Sequence, residues 1–244
     1  MNGLGVFFAL LLYAGAVILL VGLGRKIVAY WRAPAPLKIP TMPAPLGRSG
    51  VALRLGREVV LFESLFKSNK WLWIFGWAFH AALLLALLRH GRYFVEPVGF
   101  VLTWLQPFGE YAGFAMVLAL LALLARRLLL ARVRFISAPS DYLMLLLIIA
   151  IGMSGLFMRY VARTDIVALK AFTLGLVRFD WQPLPTDPVL LVHLFLVAAL
   201  MAVLPFSKLL HIPGIFFSPS RNQADDARER RHAAGTPGAP EAAR

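Results

Sequence analysis

Four of the five histidines, His80, His90, His193 and His211, fall in or at the ends of two long apolar runs, and the fifth, His232, stands in a polar tail. Ionisable side chains are costly in hydrocarbon, so a membrane segment that carries them points to function. A neutral imidazole suits axial ligation of haem iron; it also suits a proton relay or a polar contact between helices. His80 and His90 lie ten residues apart, and His193 and His211 eighteen. At about 100° per residue, eighteen residues close five turns and put His193 and His211 on one face of a straight helix, while ten leave His80 and His90 about 80° apart. If the two segments run antiparallel, their ends match as His90 with His193 and His80 with His211. That offers two bis-histidine iron sites, one per leaflet. The rises differ, about 15 Å against about 27 Å, so tilt or a break at Pro205 must absorb the difference.

Other residues bear on the same chemistry. Arg89 and Arg92 flank His90, where they suit either haem propionates or interfacial anchoring. Gly76 precedes His80 by one turn, and Gly152 and Gly155 lie on another run; small residues there admit a macrocycle or, the favoured reading, close helix packing. The chain has no cysteine. That excludes a thiolate-bound iron–sulfur cluster, a disulfide and a covalently attached c-type haem in this chain.

The elements that must position these residues are membrane helices. Of the 244 residues 60% are hydrophobic and 15% charged, well below the roughly 25% charged of soluble domains. Five apolar runs approach the roughly 20 residues a crossing needs. The expectation is an all-α integral membrane bundle of five transmembrane helices at about 4–26, 69–90, 109–131, 140–161 and 187–211. The bundle occupies 1–217, and a disordered cytoplasmic tail occupies 218–244. Of the Lys and Arg residues, 19 fall on one side of these spans and 6 on the other, which places the N-terminus outside and the C-terminus in the cytoplasm. The net charge of +13 therefore reports topology, with no nucleic acid as partner. The first run lacks a basic leader and exceeds the apolar core of a secretory signal, so it reads as an uncleaved helix. Residues 51–66 suit an amphipathic interfacial helix and a docking surface for a cytoplasmic partner. Short interfacial segments are expected at 98–105 and 166–176, and Ser140-Asp141 reads as the N-cap of the fourth span. No internal repeat is visible, which weighs against an inverted-repeat transporter.

The four-histidine spacing resembles that of the gamma subunit of respiratory nitrate reductases. The chain also looks like the cytochrome b subunit of the Dsr sulfur-metabolism membrane complex (the DsrM family). The segments that carry this likeness are Phe62 to Trp71, Ile136 to Asp141, Arg163 to Val167, Phe179 to Pro183 and Pro205 to Gly214. The resemblance covers residues 1 to 223 and implies a five-helix fold in the bacterial inner membrane with two b haems. It implies the pairing given above, with His80 and His211 on the inner iron and His90 and His193 on the outer. It also implies exchange with the quinone pool and a cytoplasmic iron–sulfur partner of the heterodisulfide-reductase type (DsrK-like), with further Dsr membrane subunits. The family places quinol chemistry beside the outer haem, with a lysine early in the third helix. Glu110 stands there instead, as a quinol proton acceptor or as an interfacial carboxylate. The alternatives are the gamma subunit of a nitrate reductase, or a cofactor-free transporter component that uses the histidines as a proton relay.

Overall fold

Apolar runs of this length form helices because a helix satisfies its own backbone hydrogen bonds where no water can. The computed structural model describes residues 3–226 and holds five helices long and apolar enough to cross a membrane. They are Gly3–Arg32, Lys70–Tyr93, Phe100–Leu129, Pro139–Ala162 and Pro188–Phe206, counting short terminal turns of other pitch. The α-helices in chain order are α1 (Gly3–Arg32), α2 (Arg48–Leu61), α3 (Glu63–Ser68), α4 (Lys70–His90), α5 (Phe100–Leu129), α6 (Ala131–Phe135) and α7 (Pro139–Phe157). After these come α8 (Ile166–Arg178), α9 (Pro188–Val203), α10 (Gly214–Phe217) and α11 (Pro219–Asn222). Leu20, Leu84, Leu87, Leu118, Leu143 and Phe195 are exposed on the long helices. Such a surface suits acyl chains rather than water.

Polar residues mark where the helices begin. Asn69 Oδ1 accepts the Leu72 N–H at 2.9 Å and starts α4. Asp165 caps α8 through Val167 and Ala168, and Asp187 caps α9 through Val189, with Pro188 in the first turn. The fourth span begins one residue earlier than the expected cap. Its N-cap is Ala138, and Asp141 reaches back to accept the Ala138 N–H at 3.0 Å. The expected interfacial segment at 98–105 is not separate, because from Phe100 it runs unbroken into the third span as α5, with Pro107 inside it. A Pro in that position lacks one backbone donor without ending the helix.

The fifth span departs most from expectation. α9 stops at Val203, a short 3-10 turn covers Leu204–Phe206, and His211 lies in a run of turns before α10. Pro205 cannot donate the helix hydrogen bond. The straight helix that put His193 and His211 on one face therefore does not exist.

The chain forms two units. The first comprises residues 3–23 with Asn69–Leu209, and the second Gly24–Ser68 with residues 210–226. In the first, Phe79, Ala82, Ala112, Met116, Leu120 and Ile149 bury a core shared by α4, α5 and α7. A Cβ on Gly152 would come within 2.8 Å of Met116 Cε and Val117 Cγ2. At this glycine the packing reading holds. A second core joins Phe8 and Ala9 to Leu169, Phe172, Leu184 and Leu190, so α8 is packed rather than merely interfacial. Tyr13 Oη donates to the Leu176 carbonyl at 2.6 Å and accepts from Trp181 Nε1 at 3.1 Å, which ties α1 to the end of α8. There Phe179 takes a left-handed conformation (φ 58°) and folds the Asp180 carbonyl against Gly175. Gly175→Ala is expected to destabilise the protein by about 1–3 kcal/mol, the usual cost of overpacking. The measurement is a lower thermal midpoint in detergent with helix content retained.

In the second unit the stretch after α10 is laced to the proline-rich loop. Thr41 N donates to Ser220 O at 2.9 Å, Ile39 N to Gln223 Oε1 at 2.8 Å, and Asp225 N to Pro45 O at 3.0 Å. Residues 219–226, the start of the tail that the sequence suggests is disordered, carry a helical turn and these bonds. The rest of that tail, 227–244 with His232, lies outside the described residues. The expected amphipathic helix is α2, which ends where Phe62 turns left-handed (φ 51°). On α3 the Lys67 ammonium, and then the Arg57 guanidinium, hold the Glu63 carboxyl below the usual carboxylate range.

Candidate functional site

The site is built at the His90 end of α4. A histidine on a helix can give its Nδ1–H to the carbonyl one turn back, which fixes the tautomer and leaves the Nε2 lone pair for a metal. His90 Nδ1 lies 2.6 Å from the Ala86 carbonyl, and His80 Nδ1 lies 2.7 Å from that of Gly76. A carbonyl only accepts, so Nδ1 donates in both. His193, on α9, is buried, and its Nδ1 is 2.9 Å from Ser154 Oγ. The Ser154 hydroxyl donates to the Ile151 carbonyl at 2.9 Å. Its single proton is thus engaged, and it accepts the His193 Nδ1–H. A Cβ on Gly155 would meet His193 Cε1 at 3.5 Å, so this glycine borders the imidazole.

The rings of His90 and His193 stand 6.5 Å apart between centres and only 10° from parallel. That is near the far end of the range for ring contact, about 4.5–7 Å. It also matches two imidazoles on one metal, since metal–nitrogen bonds of about 2.0 Å put the ring centres roughly 6–6.5 Å apart. Among the described residues no three His, Cys, Asp or Glu side chains gather as a metal site. A porphyrin brings four nitrogens of its own and needs only two axial ligands. The residues present therefore fit a haem better than a bare ion.

The charged residues expected here are brought to the same end. Arg92 Nη1 donates to Gln106 Oε1 at 3.1 Å and Arg89 Nη1 to the Gln106 carbonyl at 3.3 Å. A Cβ on Gly109 would come within 2.9 Å of Arg89 Cβ, so α4 and α5 nearly touch beside Glu110. Glu110 Oε1 accepts from Arg159 Nη2 at 2.5 Å and Nε at 3.1 Å. Arg159 sits in the π-turn Met158–Ala162 that ends the fourth span, a distortion often found at functional sites. His80 belongs to the first unit and His211 to the second.

Ser154, Gln106 and Arg159 were not anticipated from the sequence. For Ser154 the available signal was its place between Gly152 and Gly155, on a helix that small residues let approach its neighbours. Gln106 and Arg159 gave no such signal, because their partners are distant in sequence.

Comparison with known proteins bears on this arrangement. Residues 63–221 match the family model described as nitrate reductase gamma subunit. The chain is similar to the Hdr-like menaquinol oxidoreductase cytochrome b-like subunit of Archaeoglobus fulgidus, 35% identical over 94% of this chain and 83% of the relative. It is similar to the protein of the same description from Archaeoglobus profundus, 34% identical over 95% of this chain and 82% of that one. All four membrane histidines fall inside the matched span. The chain therefore belongs to the nitrate reductase gamma subunit family of cytochrome b-like membrane proteins.

Proposed function

We propose that this chain is the di-haem b subunit of a quinol-oxidising membrane complex. The 6.5 Å separation of His90 and His193 carries this reading. His90 and His193 would hold one haem iron; the family resemblance alone assigns His80 and His211 to the other. Bound haems supply one-electron redox chemistry at both leaflets, which allows electrons to cross hydrocarbon about 30 Å thick. Burial of His193 holds the imidazole in place, and the hydrogen bond that its Nδ1 donates to Ser154 orients it and makes Nε2 a better iron ligand. Arg89 and Arg92, held by Gln106, are the cations available to haem propionates. Glu110 would take a proton from quinol as the electrons leave, while Arg159 fixes the carboxylate in place. The positive-inside bias supports an outer location for this end, so the proton would be released outside.

Ser154→Ala removes the hydrogen bond without touching the iron ligands. Haem is expected to remain, with a more positive midpoint potential at one centre and an affinity lowered about 10–100-fold. Redox titration of the variant checks this.

Two partner readings have support. The family match favours an electron-accepting pair of the nitrate reductase type over an assignment to Dsr sulfur metabolism. The relatives' Hdr-like descriptions favour an iron–sulfur subunit of the heterodisulfide-reductase kind, as in the DsrK-like partner expected from the sequence. Copurification from native membranes distinguishes them, because molybdenum accompanies the first and iron–sulfur clusters without molybdenum the second. The function itself is tested by adding a menaquinol analogue to the purified chain. Reduced b-type absorption is expected; haem that dithionite reduces but quinol does not would refute the quinol reading. Single His80→Ala and His211→Ala variants are expected to lose the same haem.

A further inference from the structure

The polarity of α2 is arranged the wrong way round for a helix resting on a protein core. At about 100° per residue, Val51, Arg54, Leu55 and Glu58 share one side, and all are buried or half-buried. The charged members of that side are latched from within the second unit. Arg221 Nη1 donates to Glu58 Oε1 at 2.9 Å, and Arg54 Nη2 donates to the Thr41 carbonyl at 2.7 Å. Gly50 closes on Pro45, where a Cβ would come within 2.6 Å, whereas Gly56 on the other side faces open space. That other side carries Ala52, Leu53, Gly56, Val59 and Val60, with Leu53 and Val60 each 64% exposed. Arg48 and Arg57 border this apolar stripe on its two edges, and both are exposed, Arg57 while also paired with Glu63 at 2.8 Å.

An apolar stripe edged by arginines is the pattern of a helix lying in a lipid interface, where the side chains snorkel to phosphate. The chain keeps α2 within reach of a membrane. Fifteen residues separate it from the end of α1, and eight from the start of α4. The second unit also holds nine Lys and Arg against four Asp and Glu among its described residues, a charge that suits anionic headgroups. We propose that α2 lies in the headgroup layer of an anionic bilayer with its apolar stripe toward the acyl chains, held in that roll by the segment around Arg221. Unlike the haem reading, this depends only on the membrane character of the chain.

The absence of cysteine gives a clean test. Leu53→Cys and Val59→Cys in the full chain carry a fluorescent probe in bilayers of phosphatidylcholine with and without phosphatidylglycerol. Quenching by lipids with a shallow nitroxide is expected to lower emission at both positions about twofold or more, and further with phosphatidylglycerol. Arg48→Gln with Arg57→Gln is expected to remove the extra quenching due to phosphatidylglycerol. Probes fully open to aqueous iodide would overturn the proposal. So would probes shielded from both quenchers, because a protein would then be covering the stripe. Haem content, measured on the same samples, reports separately on the proposed function.

Discussion

His193→Ala is expected to halve the haem content of the purified chain, from two per polypeptide to one. His193 is buried, its Nδ1 is engaged by Ser154, and its ring faces that of His90 at 6.5 Å. Without one axial imidazole, a haem at this end loses one of its two bonds to the protein. The haem proposed at the His80 end should be retained. His90→Ala should lose the same haem, and the double variant should lose no more than either single one, because in the proposed site both side chains would hold one iron. Haem counting with a redox difference spectrum measures all three. Loss of different haems in His90→Ala and His193→Ala would refute the pairing.

Glu110→Gln should slow quinol-driven reduction about 10²-fold or more, the usual contribution of a positioned proton acceptor. Reduction by dithionite should be unchanged, since it needs no proton transfer through this side chain. The amide keeps the shape and can still accept a hydrogen bond from Arg159, so packing should survive. If quinol reduces the variant at the parental rate, Glu110 is an interfacial partner of Arg159 and nothing more. Stopped-flow absorbance after mixing with a menaquinol analogue reads the difference directly.

Much of this arrangement is legible in sequence because membrane physics is severe. Hydrocarbon thickness sets the length of each apolar run, and all five runs appear as helices. The cost of ionisable groups in lipid makes His80, His90 and His193 conspicuous. The His90–His193 pair follows from simple antiparallel counting, since both lie on regular helix near matching ends. The same counting fails for His211, because it assumes a straight helix where Pro205 ends one. The partners of Glu110 and of Arg89 and Arg92 were hidden for another reason. Arg159 and Gln106 approach them only through the packing of α4, α5 and the fourth span, and no local rule encodes such contacts. Likewise α2 shows its amphipathic period in sequence, but not which face is sealed. That depends on Glu58 meeting Arg221, 163 residues away.

The most direct measurement is the reduced-minus-oxidised optical spectrum of the full chain purified from haem-replete membranes, with haem quantified per polypeptide. A b-type spectrum at two haems per chain, reduced to one in His193→Ala, is the expected result. A preparation without b-type absorption would mean that the facing imidazoles of the second and fifth spans hold no iron.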